Sequence, residues 1–168
     1  MLRQFVPKWM YLSIYSLELE DLAQRGIKVI FADLDNTLAA YSEREPSQRL
    51  KDWLGEVRRH GLQVFVISNS RKSTRAVRFC EAANIPFIRH AGKPKKKGFF
   101  RAMAQCKVEP HQAIMVGDQI FTDIWGANRV GITSVLVKPL RLDTLFRRIR
   151  FLIEAPFRKM CLWKGGWR

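Results

Sequence analysis

Short apolar runs rich in β-branched residues alternate along the chain with longer stretches whose apolar positions recur every three or four residues. The two spacings mark different elements. Side chains alternate across a strand, whereas they return to one face of a helix after about 3.6 residues. Residues 27–32 are almost continuously apolar, as a strand buried on both faces requires, and 62–67, 85–88, 113–116 and 132–137 read as four more strands. Helices are predicted over 16–25, 47–60, 73–83, 95–106, 123–129 and 140–153. In the second of these, Leu50, Trp53, Leu54 and Val57 share a face, and Gly61 follows as a stop. Strands separated by helices pair in parallel through right-handed crossovers. The expected fold is therefore α/β: a three-layer, doubly wound, Rossmann-like domain around a five-stranded parallel sheet.

No internal repeat, low-complexity tract or linker interrupts the 168 residues. One domain over 1–168 is expected, with a core at about 26–140 and a basic, aromatic C-terminal segment at about 141–168. Charge changes the picture more than size does. Thirty Lys and Arg against fifteen Asp and Glu give a formal net charge of +15. Such a surface attracts polyanions: nucleic acid, an anionic membrane or phosphorylated substrates. Three scattered cysteines, Cys80, Cys106 and Cys161, form neither a disulfide framework nor a zinc-ligand cluster, which suits a reducing interior. The apolar stretch at 9–19 resembles a short signal peptide, but Ser13, Ser16 and Glu18 interrupt it and no small-residue cleavage site follows. A cytoplasmic location is expected.

In such sheets, sites lie beyond the carboxyl ends of the strands, and the polar residues with chemical potential fall there. Asp33 follows the first predicted strand, Ser68 the second, and Gly117-Asp118 the fourth. Asp33 and Asp35 flank one residue in an extended segment, so both side chains can enter one cleft. Two anions that close repel, and oxygen-only ligands without a nearby His or Cys select a hard cation such as Mg²⁺. Asp118 can complete its shell, while Asp123, at the start of a predicted helix, can cap that helix and support the metal. Ser68-Asn69-Ser70-Arg71 offers a hydroxyl and a turn leading into a helix, a geometry suited to phosphate. Lys93, in a loop before another helix, can balance the carboxylates and an incoming phosphoryl group.

Four segments in this order, Asp33-Leu34-Asp35-Asn36-Thr37-Leu38, Ser68-Asn69, Lys93-Pro94, and Gly117-Asp118 with Asp123, resemble the haloacid dehalogenase-like phosphatases. The resemblance implies Asp33 as phospho-aspartyl nucleophile and Asp35 as general acid/base. It implies Ser68, Asn69 and Lys93 at the phosphoryl group. Mg²⁺ would be held by Asp33, Asp118 and the backbone carbonyl of Asp35, with Asp123 in support, and the first and fourth predicted strands would lie side by side. The stretches from Thr37 to Trp53 and from Ser68 to Lys93 are too short for the cap domain many members carry. An open site favours a large or membrane-bound substrate. Gly26-Ile27-Lys28, Gly98-Phe99 and Gly117-Asp118-Gln119 with Thr122-Asp123 further resemble the capless YqeG-type branch (subfamily IIIA), which is similar to phosphatidylglycerophosphate phosphatases. That implies a phosphorylated lipid substrate. Basic and aromatic residues interleave from Arg141 to Arg168, as in an element peripheral to an anionic bilayer, or one stacking on single-stranded nucleic acid.

Overall fold

Each apolar run becomes a strand whose alternate residues face opposite layers of helix. A computed structural model of the protein describes residues 2–69, 74–141 and 145–162. The strands are β1 (Trp9–Tyr11), β2 (Val29–Ala32), β3 (Gln63–Ile67), β4 (Phe87–Ile88), β5 (Ala113–Gly117) and β6 (Thr133–Val137). They form one parallel sheet in the order β1-β6-β5-β2-β3-β4. The helices are α1 (Leu19–Gln24), α2 (Gln48–Arg59), α3 (Thr74–Ala82), α4 (Lys96–Cys106), α5 (Trp125–Arg129) and α6 (Leu145–Leu162).

Period-two alternation gives the sheet a core on each face. Ile30 and Ala32 of β2 join Val64, Val66, Ile114 and Val116 beneath Leu50, Trp53, Leu54 and Val57 of α2 and Phe79 of α3. Val29 and Phe31 join Phe65, Ile67 and Met115 on the other face, against Phe99, Ala102 and Met103 of α4 and Ala127 of α5. Three layers result, as the pattern predicts. Each fully buried Phe, Leu or Ile contributes about 1.5–3 kcal/mol relative to exposure.

Among the described residues the sheet has six strands rather than five. β1 lies within the apolar stretch that resembles a leader, and its three residues pair with β6 through Trp9↔Val135, Met10↔Leu136 and Tyr11↔Val137. Three residues are too few to display a period, and this partner is distant in sequence. Other boundaries shift as well, among them the helix predicted over 16–25, which is Leu19–Gln24, and two of the changes bear on the site. The closing helix, predicted over 140–153, is described over Leu145–Leu162, past its predicted end and with Pro156 inside it. Asp123 does not open an α-helix; it sits within a π-helical turn, Ile120–Ile124, that precedes α5.

β2 is flanked by β3 and β5, with Ala32 level with both Val66 and Val116. The expectation that the first and fourth predicted strands are neighbours is met. This register brings the carboxyl ends of β2, β3 and β5 to one edge, where the site forms.

Candidate active site

The loop after β2 is anchored from below. Leu34 and Leu38 are buried in the core, and the Leu34 carbonyl accepts hydrogen bonds from the Leu38 and Ala39 N–H groups, both at 3.1 Å. Asn36 turns the chain at φ 64°, a left-handed conformation Asn tolerates better than most residues. With Leu34 pointing into the core, Asp33 and Asp35 point to the cleft. The Asp33 N–H is itself fixed by the Val116 carbonyl of β5, at 3.0 Å.

Lys93 joins the two acidic segments. Its Nζ donates to Asp33 Oδ1 at 2.6 Å and pairs with Asp123 Oδ1 at 2.7 Å, with the side chain 1% exposed. Burial opposes its charge, but the Asp123 and Asp33 carboxylates outweigh burial and hold the ammonium above its ordinary pKa. Asn69 secures the lysine's backbone: its Nδ2 donates to the Lys93 carbonyl at 2.9 Å and its Oδ1 accepts from the Lys93 N–H at 2.7 Å. The amide of Asn69 is thus engaged with Lys93 rather than turned solely to the cleft. Ser68 is buried at the end of β3, beside this clamp. Ser70 and Arg71 of the predicted phosphate turn lie outside the described residues.

Asp118 and Asp123 come from the end of β5 and the π turn. Asp123 Oδ2 accepts from the Gln119 N–H at 3.2 Å. Ligand oxygens of Asp33, Asp118 and Asp123 lie within 4.8 Å of one another, all three residues buried. Among the described residues, Asp118 Oδ1 has no hydrogen-bond partner. Burial, followed by the charges of Asp123 and Asp33, pushes the Asp118 carboxyl well above the usual carboxylate range. Burial also raises Asp123, to about 6, with Lys93 acting against the shift.

Three carboxylates against one ammonium leave two negative charges when all are ionised. A buried orphan oxygen, an all-oxygen donor set and that charge fit a hard divalent cation. Asp35 stands apart from the three: Arg75 Nη1 donates to its Oδ1 at 2.5 Å, while the same guanidinium bonds the carbonyls of Ala40 and Glu43. A cleft of about 180 Å³, lined by Asp33, Asp35, Ser68, Asn69, Lys93, Gln119 and Thr122, opens above the cluster.

Sequence reasoning missed three contributors. Arg75 is one. The others are Glu154 and Arg158 of α6, a buried ion pair at 2.9 Å. Glu154 Oε1 accepts from the Ile120 and Phe121 N–H groups, and Arg158 Nη2 donates to the Asp118 carbonyl at 2.5 Å. The available signal was that Glu154 is the lone acid in a basic helix, four residues before an arginine.

A doubly wound sheet carrying this carboxylate–lysine cluster at its carboxyl edge suits a hydrolase acting on phosphorylated substrates. The family model for haloacid dehalogenase-like hydrolases matches residues 3–131, and the chain belongs to that family. The probable phosphatase YqeG of Bacillus subtilis (strain 168) is 36% identical over 136 residues, covering 81% of this chain and 78% of that protein. The chloroplastic phosphatidylglycerophosphate phosphatase 1 of Chlamydomonas reinhardtii is 34% identical over 127 residues, which is 71% of this chain but 47% of that protein. The chain thus matches about half of the algal protein's length. A putative 3-deoxy-D-manno-octulosonate 8-phosphate phosphatase from Vibrio cholerae shares the fold, with a TM-score of 0.55 at 16% identity over 74% of this chain and 73% of that one. The chain is a phosphatase.

Proposed function

We propose that the protein is a Mg²⁺-dependent phosphomonoester hydrolase that forms a phospho-aspartyl intermediate and acts on phosphatidylglycerophosphate at a membrane surface. The observation that carries the chemistry is the buried cluster of Asp33, Asp118 and Asp123 bridged by Lys93. Asp33, Asp118 and Asp123 would hold the cation, with the backbone carbonyl of Asp35, and the bound cation would neutralise charge on the phosphoryl oxygens. An oxygen of Asp33 attacks phosphorus; the new O–P bond forms as the bond to the leaving oxygen breaks. Asp35, held at the rim by Arg75, passes a proton to that leaving oxygen. Water, deprotonated by the same carboxylate, then cleaves the acyl phosphate and regenerates Asp33. Lys93, placed by Asn69, offsets the crowded negative charge, and Ser68 steadies the phosphoryl group.

The lipid assignment rests on the likeness to the algal enzyme, on the open cleft and on the basic surface. On this reading the protein works in the cytoplasm, peripheral to the inner face of the membrane. Among the described residues no helix is long and apolar enough to cross a bilayer. A second reading, action on nucleic-acid ends or nucleotides, draws on the +15 charge alone.

Phosphate release from phosphatidylglycerophosphate in vesicles should exceed that from sugar or nucleotide phosphates when Mg²⁺ is present. A clear preference for the soluble set overturns the lipid assignment. Asp33→Asn should lower turnover by a factor on the order of 10⁶, the scale of losing a covalent nucleophile, while circular dichroism shows the fold retained. Substantial residual turnover in that variant would remove Asp33 from the nucleophile's role.

A further inference from the structure

Helix α6 has two faces of opposite purpose. Its inner face carries Glu154 and Arg158, both buried, against the π turn and the Asp118 carbonyl. Phe157 joins it there, its ring 5.3 Å from Phe121 and 5.2 Å from Phe5. Its outer face is apolar and open to solvent. Leu145 is 75% exposed, Leu152 69% and Ile153 59%, with Ile149 and Met160 exposed as well.

At about 3.6 residues per turn, positions 145, 149, 152, 153, 156 and 160 fall within a sector about 100° wide, opposite the buried pair. A stripe of this kind is not needed for the core, which closes beneath the helix without it. Arg148 and Lys159 border the stripe on one flank and are exposed. The helix is 18 residues long, about 27 Å. Apolar anchors bordered by cations, in a helix that does not meet the composition of a membrane span, describe an element lying in the plane of an anionic interface.

We infer that the outer face of α6 is the surface by which the protein seats on an anionic bilayer, placing the cleft beside the headgroups. Charge selects this occupant over a second copy of the chain. Two copies would bring the cationic flanks of two +15 chains together, whereas anionic headgroups neutralise them. Position gives the seat its use: the inner face of the same helix grips the segment that supplies Gln119 and Thr122 to the cleft lining. This deepens the lipid reading of the site, yet binding can be measured without any turnover.

The test is co-sedimentation of the full chain with phosphatidylglycerol/phosphatidylcholine vesicles and with pure phosphatidylcholine vesicles, using wild type, Leu152→Glu/Ile153→Glu, and Lys159→Glu. Wild type should bind the anionic vesicles, and salt should weaken that binding. The double variant should bind at least tenfold more weakly with an unchanged thermal midpoint, and Lys159→Glu should fall between the two. Hydrolysis of p-nitrophenyl phosphate with Mg²⁺ should be the same in all three. Equal vesicle binding by wild type and the double variant overturns the assignment of the surface. Absence of wild-type binding overturns it, and gel filtration showing a dimer that the double variant dissociates overturns it in favour of a contact between copies. Failure of the phosphatase reading would register separately, as absent turnover with vesicle binding intact.

Discussion

Residue 117 is glycine for a spatial reason. A Cβ built there would lie 2.3 Å from Asp123 Oδ2 and 2.4 Å from its Cγ, so a side chain and the Asp123 carboxylate cannot share the space. Gly117→Ala should therefore push Asp123 off Lys93 and out of the three-carboxylate cluster. The expected outcome is at least a tenfold weaker Mg²⁺ response, read by titrating activity, with about 1–3 kcal/mol lost in denaturant unfolding as in other overpacked sites. The same change at Gly55 in α2, where nothing lies within 4 Å, should stabilise by up to about 1 kcal/mol and leave the titration alone. At this scale the sequence was most legible where chemistry and position coincide. Asp33, Ser68 and Asp118 stand directly after apolar runs, so strand ends announced them, and Lys93 followed from its place in the motif order. Arg75 did not announce itself. It reaches Asp35 only because α3 packs beside the loop after β2, and no local spacing encodes that approach.

Elements were legible to the extent that their signal is local. The two-faced alternation in β2, β3 and β5 and the helical stripe of α2 survive as predicted. β1 does not show itself because its pairing with β6 is a tertiary event. In α6, Pro156 removes one N–H from the helix ladder, a loss of the kind that ends many helices. Here its own position is exposed, and both turns beside it are held by the buried pair, Glu154 before it and Arg158 after. That pair makes the helix part of the site's support. Glu154→Gln keeps an acceptor for Ile120 and Phe121 but leaves the Arg158 guanidinium buried without its anion. A loss of about 3–5 kcal/mol is expected, the usual cost of removing one partner of a buried pair. The Mg²⁺ concentration for half-maximal activity should rise with it. Replacing both, as Glu154→Leu with Arg158→Met, should recover only part of the stability while the Mg²⁺ requirement stays raised, since the N–H groups and the Asp118 carbonyl remain unheld. Recovery of both together would reduce the pair to a packing role.

The whole molecule sets a strongly cationic surface around a buried cluster that carries two excess negative charges when fully ionised. Asp118 and Asp123 have folded-state pKa values above their ordinary ones, Asp123 at about 6. The folded protein therefore holds more protons than the unfolded chain in the window that opens near pH 4, where unfolded aspartates titrate, and extends through about pH 6. Stability of the metal-free protein should fall as pH rises through that window, because each proton released leaves an uncompensated buried carboxylate. A divalent cation held by these carboxylates would bind their ionised form, so its stabilising effect should be larger at pH 8 than at pH 5. At a concentration 100-fold above Kd it supplies about 2.7 kcal/mol. For a chain of this size that is about 5–10 °C in Tm. Differential scanning calorimetry with EDTA or Mg²⁺ at the two pH values measures the difference directly. Asp118→Asn isolates the cause: it should raise the metal-free Tm at pH 8 and remove most of the Mg²⁺ shift. A Mg²⁺ shift equal at pH 5 and pH 8, or undiminished in Asp118→Asn, would mean that the cation binds elsewhere than this cluster.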